Sequence, residues 1–346
     1  MLKLEHIYKK LGNFKLKDIN FEVKEGEYFV ILGPTGAGKT IILEIIAGIY
    51  NLDKGSIYIN NKNLNNVPPE HRNIGFVYQD YLLFPHLSVR ENILFSSKVK
   101  SMSKSSAEKA LFSICEMLNI EHLLNRNIYM LSGGEQQRIA FARAIITSPQ
   151  ILLLDEVSSA LDPCTKEIFQ QNLKKMHKNL NTTTIHVTHD FNEALYLADR
   201  IAVMNNGEIL EIGSPEEIFE HPSSEFIAKF TGFSNLFKCK VSDRRAILSN
   251  DVKFVVKNNS VLNEAIAAVR GENIFLFLDP RTQSFENKFK GRIVEIINQG
   301  FIKKVIVDVG IELNSFVTKK CIEDLELNPG KEVYVGIKDS DIQILK

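Results

Sequence analysis

The chain has 346 residues, of which 44% are hydrophobic and 24% charged, an ordinary globular composition that excludes a disordered chain and suits two or three domains. Its 42 basic and 42 acidic residues cancel, so no global field draws it to nucleic acid or to an anionic membrane surface. Four scattered cysteines without a C-x-x-C pair read as reduced thiols in a cytosolic protein, and no apolar run approaches the roughly 18 to 20 residues that span a bilayer. Glu5, Lys9 and Lys10 interrupt any signal-like apolar start, so a membrane role is expected to run through a partner.

Residues 2–9 and 18–31 read as strands of a sheet edge, with Gly26 marking a turn. The apolar run Tyr28-Phe29-Val30-Ile31-Leu32 leads into Gly33-Pro34-Thr35-Gly36-Ala37-Gly38-Lys39-Thr40, and a second apolar run follows at 41–47. A buried strand, a glycine-rich turn and a helix start in that order match the phosphate-binding loop G-x-x-x-x-G-K-[ST]. Glycines let backbone N–H groups curl around an anion, and the helix N-terminus adds partial positive charge. Lys39 is placed to reach the β- and γ-phosphates, and the Thr40 hydroxyl to hold Mg²⁺. The chain is expected to bind a nucleoside triphosphate.

Downstream, 56–60 reads as a strand, Asn61-Lys62-Asn63 as a polar turn, and 68–72 as a connection into a short strand at 74–79 that ends on the amide of Gln79. From about 84 to 147 the apolar residues recur at i, i+3 and i+4, which predicts a helical subdomain with a polar connection at 98–104. The runs at 150–156, 183–189 and 201–204 are apolar without alternation, so they predict parallel strands covered on both faces. Residues 218–232 read as the last helix of this domain. Beyond about Ser234 short alternating strands such as 304–309 and 332–337, with the turn Asn328-Pro329-Gly330 between them, predict a small OB-type β-barrel.

Two further stretches carry chemistry. Asp155 ends a buried strand where it can meet the ion held by Thr40, and Glu156 beside it can orient and deprotonate water. In Leu131-Ser132-Gly133-Gly134-Glu135-Gln136-Gln137-Arg138, Ser132 and Glu135 have capping-box spacing. Two glycines in a first helical turn go beyond what capping needs. Each costs about 1 kcal/mol against alanine in a helix interior, and what glycine adds is close approach of the backbone to something bulky, such as a phosphate.

In this order and separation, the phosphate loop, the Ser132 stretch, the run ending in Asp155 and Glu156, and Val187-Thr188-His189-Asp190 resemble the nucleotide-binding subunit of an ABC transporter. The likeness covers about residues 1–232. It implies an α/β P-loop NTPase cassette with a parallel-sheet core, a helical subdomain at about 84–147 and an antiparallel β edge. It implies a head-to-tail homodimer sandwiching two ATP molecules with Mg²⁺. Each ATP would lie between Gly33, Pro34, Thr35, Gly36, Ala37, Gly38, Lys39 and Thr40 of one subunit and Ser132, Gly133, Gly134 and Gln136 of the other. Carried over by motif, Thr40, Gln79 and Asp155 hold the metal, Glu156 is the general base, Lys39 and His189 contact the γ-phosphate, and Ser159, Ala160, Leu161 and Asp162 cross the dimer interface. Partners so implied are integral-membrane permease subunits docking near residues 79–92 and, indirectly, an extracytoplasmic solute-binding protein. Nucleic acid is not among them. The expected place is the cytoplasmic face of the membrane.

Two departures from the family pattern stand out: Val157 replaces a usual proline, and Leu11 stands where an aromatic commonly stacks on adenine, leaving Phe14 and Tyr8 as substitutes. The tail, taken as domain 233–346, resembles transport-associated and molybdate-binding OB-like domains from about Phe285. Among importer ATPases the whole looks most like those for molybdate or tungstate, with sulfate, thiosulfate, iron(III) or sugar import as alternatives. A regulatory oxyanion in the tail would fall to Ser284, Asn287, Lys338 and Ser340, although Glu286 and Asp339 beside them repel a divalent anion. The alternative there is a structural dimerisation barrel. From a different class, a soluble non-transport ABC ATPase would carry a coiled-coil insertion, a second cassette or basic stretches. A GTP-dependent switch would need Asn-Lys-x-Asp, and Asn61-Lys62-Asn63-Leu64 lacks the aspartate.

Overall fold

The unalternating apolar runs become the centre of one sheet, as burial on both faces requires. The computed structural model describes residues 2–159, 161–180, 182–257, 261–281 and 284–345. The chain opens with β1 (Leu2–Leu11), β2 (Phe14–Val23), β3 (Tyr28–Leu32), α1 (Lys39–Ala47), β4 (Lys54–Ile59), β5 (Lys62–Asn63) and β6 (Ile74–Val77). Helices α2 (Val89–Val99), α3 (Lys104–Leu118) and α4 (Gly133–Ile145) come next. Then follow β7 (Ile151–Asp155), α5 (Pro163–Leu180), β8 (Thr183–Thr188), α6 (Phe191–Leu197), β9 (Arg200–Asn205) and β10 (Glu208–Gly213).

The six-stranded sheet has the order β10-β9-β3-β8-β7-β6, parallel throughout except for β10. Every residue of β3, β7 and β8 is buried. An antiparallel sheet, β2-β1-β4-β5, lies against α1, and Leu4, Ile19 and Ile57 share one core with Ile42, Ile31 and Leu153. Within 18–31 the turn expected at Gly26 separates β2 from β3: the Glu27 N–H bonds back to the Lys24 carbonyl at 3.3 Å, and Gly26 takes φ 70°. In the helical block, α2 and α4 each start on a complete capping box, Ser88 with Glu91 and Ser132 with Glu135, and Ser103 caps α3. Among the described residues no helix is long and apolar enough to cross a membrane.

The chain divides into two compact units between Pro215 and Glu216. This falls before the segment 218–232 rather than after it, and the segment is two helices, α7 (Pro215–Glu220) and α8 (Glu225–Phe230), interrupted around Pro222. The reason is visible in Arg270: its guanidinium donates to the Thr231 carbonyl at 3.0 Å and to that of Phe219, and lies 4.3 Å from the Phe233 ring centroid. These contacts tie the helices to the strands that follow. Those strands are β11 (Asn235–Ser242), β12 (Arg245–Ile247), β13 (Lys253–Val255), β14 (Leu262–Val269), β15 (Phe275–Phe277), β16 (Asn287–Gln299), β17 (Ile302–Asp308) and β18 (Glu312–Thr318). A short helix, α9 (Lys319–Asp324), precedes β19 (Glu332–Ile337) and β20 (Ile342–Leu345). They form two five-stranded antiparallel sheets, β13-β12-β11-β14-β20 and β15-β19-β16-β17-β18, around a common core including Phe254, Val269, Val305 and Val335. This is the OB-like all-β domain that the alternation predicted.

One buried charge holds α1 in place. Arg72 donates to the Ile45 and Ile46 carbonyls at 2.9 and 2.8 Å, adding to the Gly48 backbone cap at the C-terminus of the helix, and to Leu64 and Val67 at 2.9 and 2.7 Å. Arg72→Met, of similar length, removes all four bonds, leaving the Ile45 and Leu64 carbonyls only their backbone donors, Gly48 and Val67, and is expected to destabilise the first unit by about 3 kcal/mol. Urea unfolding of the full chain measures it, and an unchanged first transition would contradict this role.

Candidate nucleotide site

The C-terminal ends of β3, β8 and β7 lie side by side, with Leu32 paired to Thr188 and Asp155 to Val187. The loops leaving these ends therefore converge, as open parallel sheets generally allow. From β3 comes the phosphate loop. Gly33 has no room for a side chain, since a Cβ there would stand 2.2 Å from the Met204 carbonyl oxygen. Gly36 takes φ 83°, and a Cβ there would meet open space. Gly38 caps α1 at φ 101° with no side-chain bond, so the first N–H groups of the helix are left for a ligand. Of the two candidate aromatics, Phe14 is the one that touches this loop: a Cβ on Gly38 would be 2.4 Å from its ring. Tyr8 instead lies near Asp18.

Lys39 is buried, curled back so that Nζ donates to the Gly33 and Pro34 carbonyls at 2.9 and 3.0 Å. Burial lowers its pKa, opposed by the nearby Glu156 carboxylate, whose Oε1 is 3.5 Å away. The Thr40 hydroxyl donates to Asp155 Oδ1 at 2.9 Å. Burial pushes the Asp155 carboxyl up, the more so with Glu156 next to it. A hydroxyl and a carboxylate at one point, the latter held at the cost of burial, form the hard-oxygen donor set that suits Mg²⁺. Gln79 is exposed, one residue beyond Tyr78, whose phenol burial raises to about 12 with help from Glu44 and Asp155.

Glu156 sits on a left-handed backbone at φ 44°, unusual for its type, with its N–H bonded to the Val187 carbonyl at 2.9 Å. Its Oε2 is 3.0 Å from His189 Nδ1. A carboxylate oxygen accepts in this contact, so Nδ1 is its donor, either in the Nδ1-protonated neutral ring or in the imidazolium. His189 is itself held between two anchored neighbours. The Thr188 hydroxyl donates to buried Glu193 at 2.7 Å and accepts from the Asp190 N–H at 3.0 Å, while Asp190 pairs with Lys166 at 2.6 Å. Beneath them His186 is fully buried, which lowers its pKa, and its Nδ1 lies 3.0 Å from the Tyr28 hydroxyl.

The second motif stands apart. Ser132 Oγ and N both donate to Glu135 Oε2, at 2.9 and 2.7 Å, and Oγ accepts from the Glu135 N–H. A Cβ on Gly133 would meet nothing within 4 Å, and one on Gly134 only the Thr165 methyl at 3.6 Å, so no packing within the chain requires either glycine. Among the described residues no hydrogen bond or ion pair joins these groups to the phosphate loop. Gln136 turns back to the Leu131 carbonyl at 3.2 Å, and Asp162 caps α5 by accepting from the Thr165 N–H at 3.1 Å. Ala160 lies outside the described residues.

Sequence reasoning passed over Gln137, which is buried and donates to the Val157 carbonyl, fixing the residue after Glu156. A carbonyl contact is blind to the side chain, so valine serves there as well as proline. In the tail, residues expected to hold an oxyanion are engaged by their own neighbours. Asn287 is buried and its amide is engaged by Val255, accepting at 2.6 Å and donating at 3.0 Å. Ser340 Oγ donates to Asp341 at 3.1 Å, and Glu286 accepts from the Asp339 N–H at 3.3 Å. Backbone hydrogen bonds, helped by the Lys338 charge, hold the Glu286 carboxyl low, and the Lys338 carbonyl accepts from the Asp341 N–H at 3.1 Å.

Comparison with known proteins follows the same division. The ABC transporter family matches residues 16–159, and the TOBE domain matches 283–344. The molybdate/tungstate import ATP-binding protein WtpC of Pyrococcus abyssi is 41% identical over 345 residues, 99% of this chain and 100% of that protein. The spermidine/putrescine import ATP-binding protein PotA of Legionella pneumophila is 39% identical over 323 residues, 91% of this chain and 88% of that one. A dimeric post-hydrolysis structure of the cassette MJ0796 bound to ADP and Pi is similar at TM-score 0.57 and 35% identity, covering 62% of this chain and 99% of that one. With the phosphate loop, the Asp155–Glu156 strand end and the capped Ser132 helix all formed, the chain belongs to the ABC transporter family, among the ATP-hydrolysing subunits of importers that carry a C-terminal TOBE domain.

Proposed function

We propose that this subunit works as a head-to-tail homodimer that energises import of molybdate or tungstate through paired permease subunits at the cytoplasmic face of the membrane. The observation that carries the dimer is the Ser132 helix end: two glycines without a packing reason inside the chain, in a subunit whose phosphate loop needs a second wall. The solute assignment is supported by likeness to WtpC along the whole chain. The similar likeness to PotA favours a second reading, import of a polyamine.

In this reading the loop amides and Lys39 of one subunit hold the triphosphate, and Ser132, Gly133 and Gly134 of the other close over it. Phe14 is the aromatic nearest the base. Thr40, Asp155 and Gln79 would hold Mg²⁺, which when bound neutralises charge on the phosphate oxygens. Glu156 takes the proton of the attacking water as general base. His189 Nδ1 donates to that carboxylate and orients it, and Nε2 donates to a γ-phosphate oxygen when the ring carries both protons. Asp162 and its neighbours line the dimer seam, residues 79–92 receive the permease, and an extracytoplasmic binding protein delivers the solute. The tail acts as a structural or dimerising barrel.

Glu156→Gln is expected to bind ATP, accumulate a stable dimer and lose at least about 100-fold in turnover. Sedimentation and phosphate release measure this, and turnover at the parent rate would remove Glu156 as the base. Gly133→Leu should keep the melting temperature within about 2 °C, since its side chain meets no neighbour in the chain, yet abolish ATP-dependent dimerisation. Parent-like dimerisation would contradict the composite site. For the solute, ATP-driven uptake with permease and binding protein should respond to molybdate or tungstate and not to sulfate, iron(III), sugars or spermidine. Response to spermidine alone would favour the second reading.

A further inference from the structure

The loop between Gln79 and α2 is built in a way that its proposed role as permease contact does not by itself explain. Tyr81 and Leu82 both take left-handed backbones, φ 58° and 43°, which bulky residues adopt only when their surroundings enforce it. Leu82 is 54% exposed, so its own packing does not provide that enforcement. Arg143 does. From the last turn of α4 its guanidinium forks to both carbonyls, Leu82 at 2.7 Å and Tyr81 at 2.8 Å, and its centre lies 5.2 Å from the Phe84 ring centroid. Phe84 in turn packs on Phe95 of α2 with centroids 4.4 Å apart. Buried Asn92 of α2 completes the clasp, accepting from the Phe84 N–H at 2.8 Å and donating to the Phe84, Leu87 and Ser88 carbonyls at 3.1, 3.2 and 3.1 Å.

The loop is therefore fastened to the helical block, while Gln79 continues directly from β6 of the sheet. Arg143 lies about three turns along the helix that begins at Gly133. We infer that Arg143 is a positioning residue that makes residues 81–84 a rigid extension of α4, so that whatever engages Ser132, Gly133 and Gly134 at one end of the helix sets the loop at the other. This rests on the composite-site reading above. A lysine has the charge but not the fork, and cannot serve two carbonyls in fixed geometry.

Amide hydrogen exchange of the full chain tests this in the Glu156→Gln background, with and without ATP. The parent is expected to gain protection at the start of α4 and in residues 81–84 together. With Arg143→Gln added, protection at the start of α4 should remain, while residues 81–84 exchange about tenfold faster and ignore ATP. Without the Glu156 change, basal ATPase of Arg143→Gln should stay within about twofold of the parent, which also shows that the variant folds. Arg143→Lys should leave the loop unresponsive as well. A loop that still gains protection with ATP in both Arg143 variants, or that fails to respond in the parent while the start of α4 does, overturns the clasp. If the start of α4 gains no protection in the parent either, the composite site fails first and the clasp with it.

Discussion

Three neighbouring strands, β3, β8 and β7, are buried on every residue and hydrogen-bonded in parallel register, and that register fixes the distances on which the chemistry runs. Because Leu32 pairs with Thr188 and Asp155 with Val187, the phosphate loop, the two carboxylates and His189 leave the sheet at one level. A shift of either neighbour would break the ladder and move buried side chains at once. The sheet thus supplies a half-site in which Lys39, Glu156 and His189 already touch: Glu156 stands between them at 3.5 and 3.0 Å. The N-terminus of α4 is also formed, and among the described residues no hydrogen bond or ion pair joins it to this half-site. In the composite-site reading proposed above, the charged half-site and the helix end that closes it come from different copies, which would couple hydrolysis to assembly.

Short, contiguous features of the sequence were legible because their chemistry is local. The phosphate loop, the Ser132 capping box and the buried runs each announce themselves within about ten residues. Features that depend on distant partners were not. Arg72 looks like one more charge in a polar connection until it is seen against the C-terminus of α1. Lys166 with Asp190, and Arg143 with the loop at 81–84, are likewise joined only by the fold. Gly26 marked the turn before β3, whereas 218–232, interrupted around Pro222, read as a single helix. Asn287 shows the opposite error: a polar residue on an anion-friendly stretch is spent on holding β13.

The family departures are absorbed by backbone contacts. Val157 presents to Gln137 the same carbonyl that proline would, and Phe14, filling the space that Gly38 leaves, brings an aromatic to the loop although Leu11 does not. Fully buried His186, between the Tyr28 hydroxyl and Glu193 of α6, lies under the segment that carries His189. In the second unit the carboxylates at 286 and 339 are tied to backbone and to Arg244, consistent with a barrel whose polar groups stabilise its own corners.

The central claim is that hydrolysis belongs to two copies facing each other. The most direct measurement is ATPase rate per protomer across a dilution series, with sedimentation on the same samples. The rate per protomer should follow the dimer fraction and vanish with it. A constant rate at concentrations where only monomer sediments would contradict a site shared between chains.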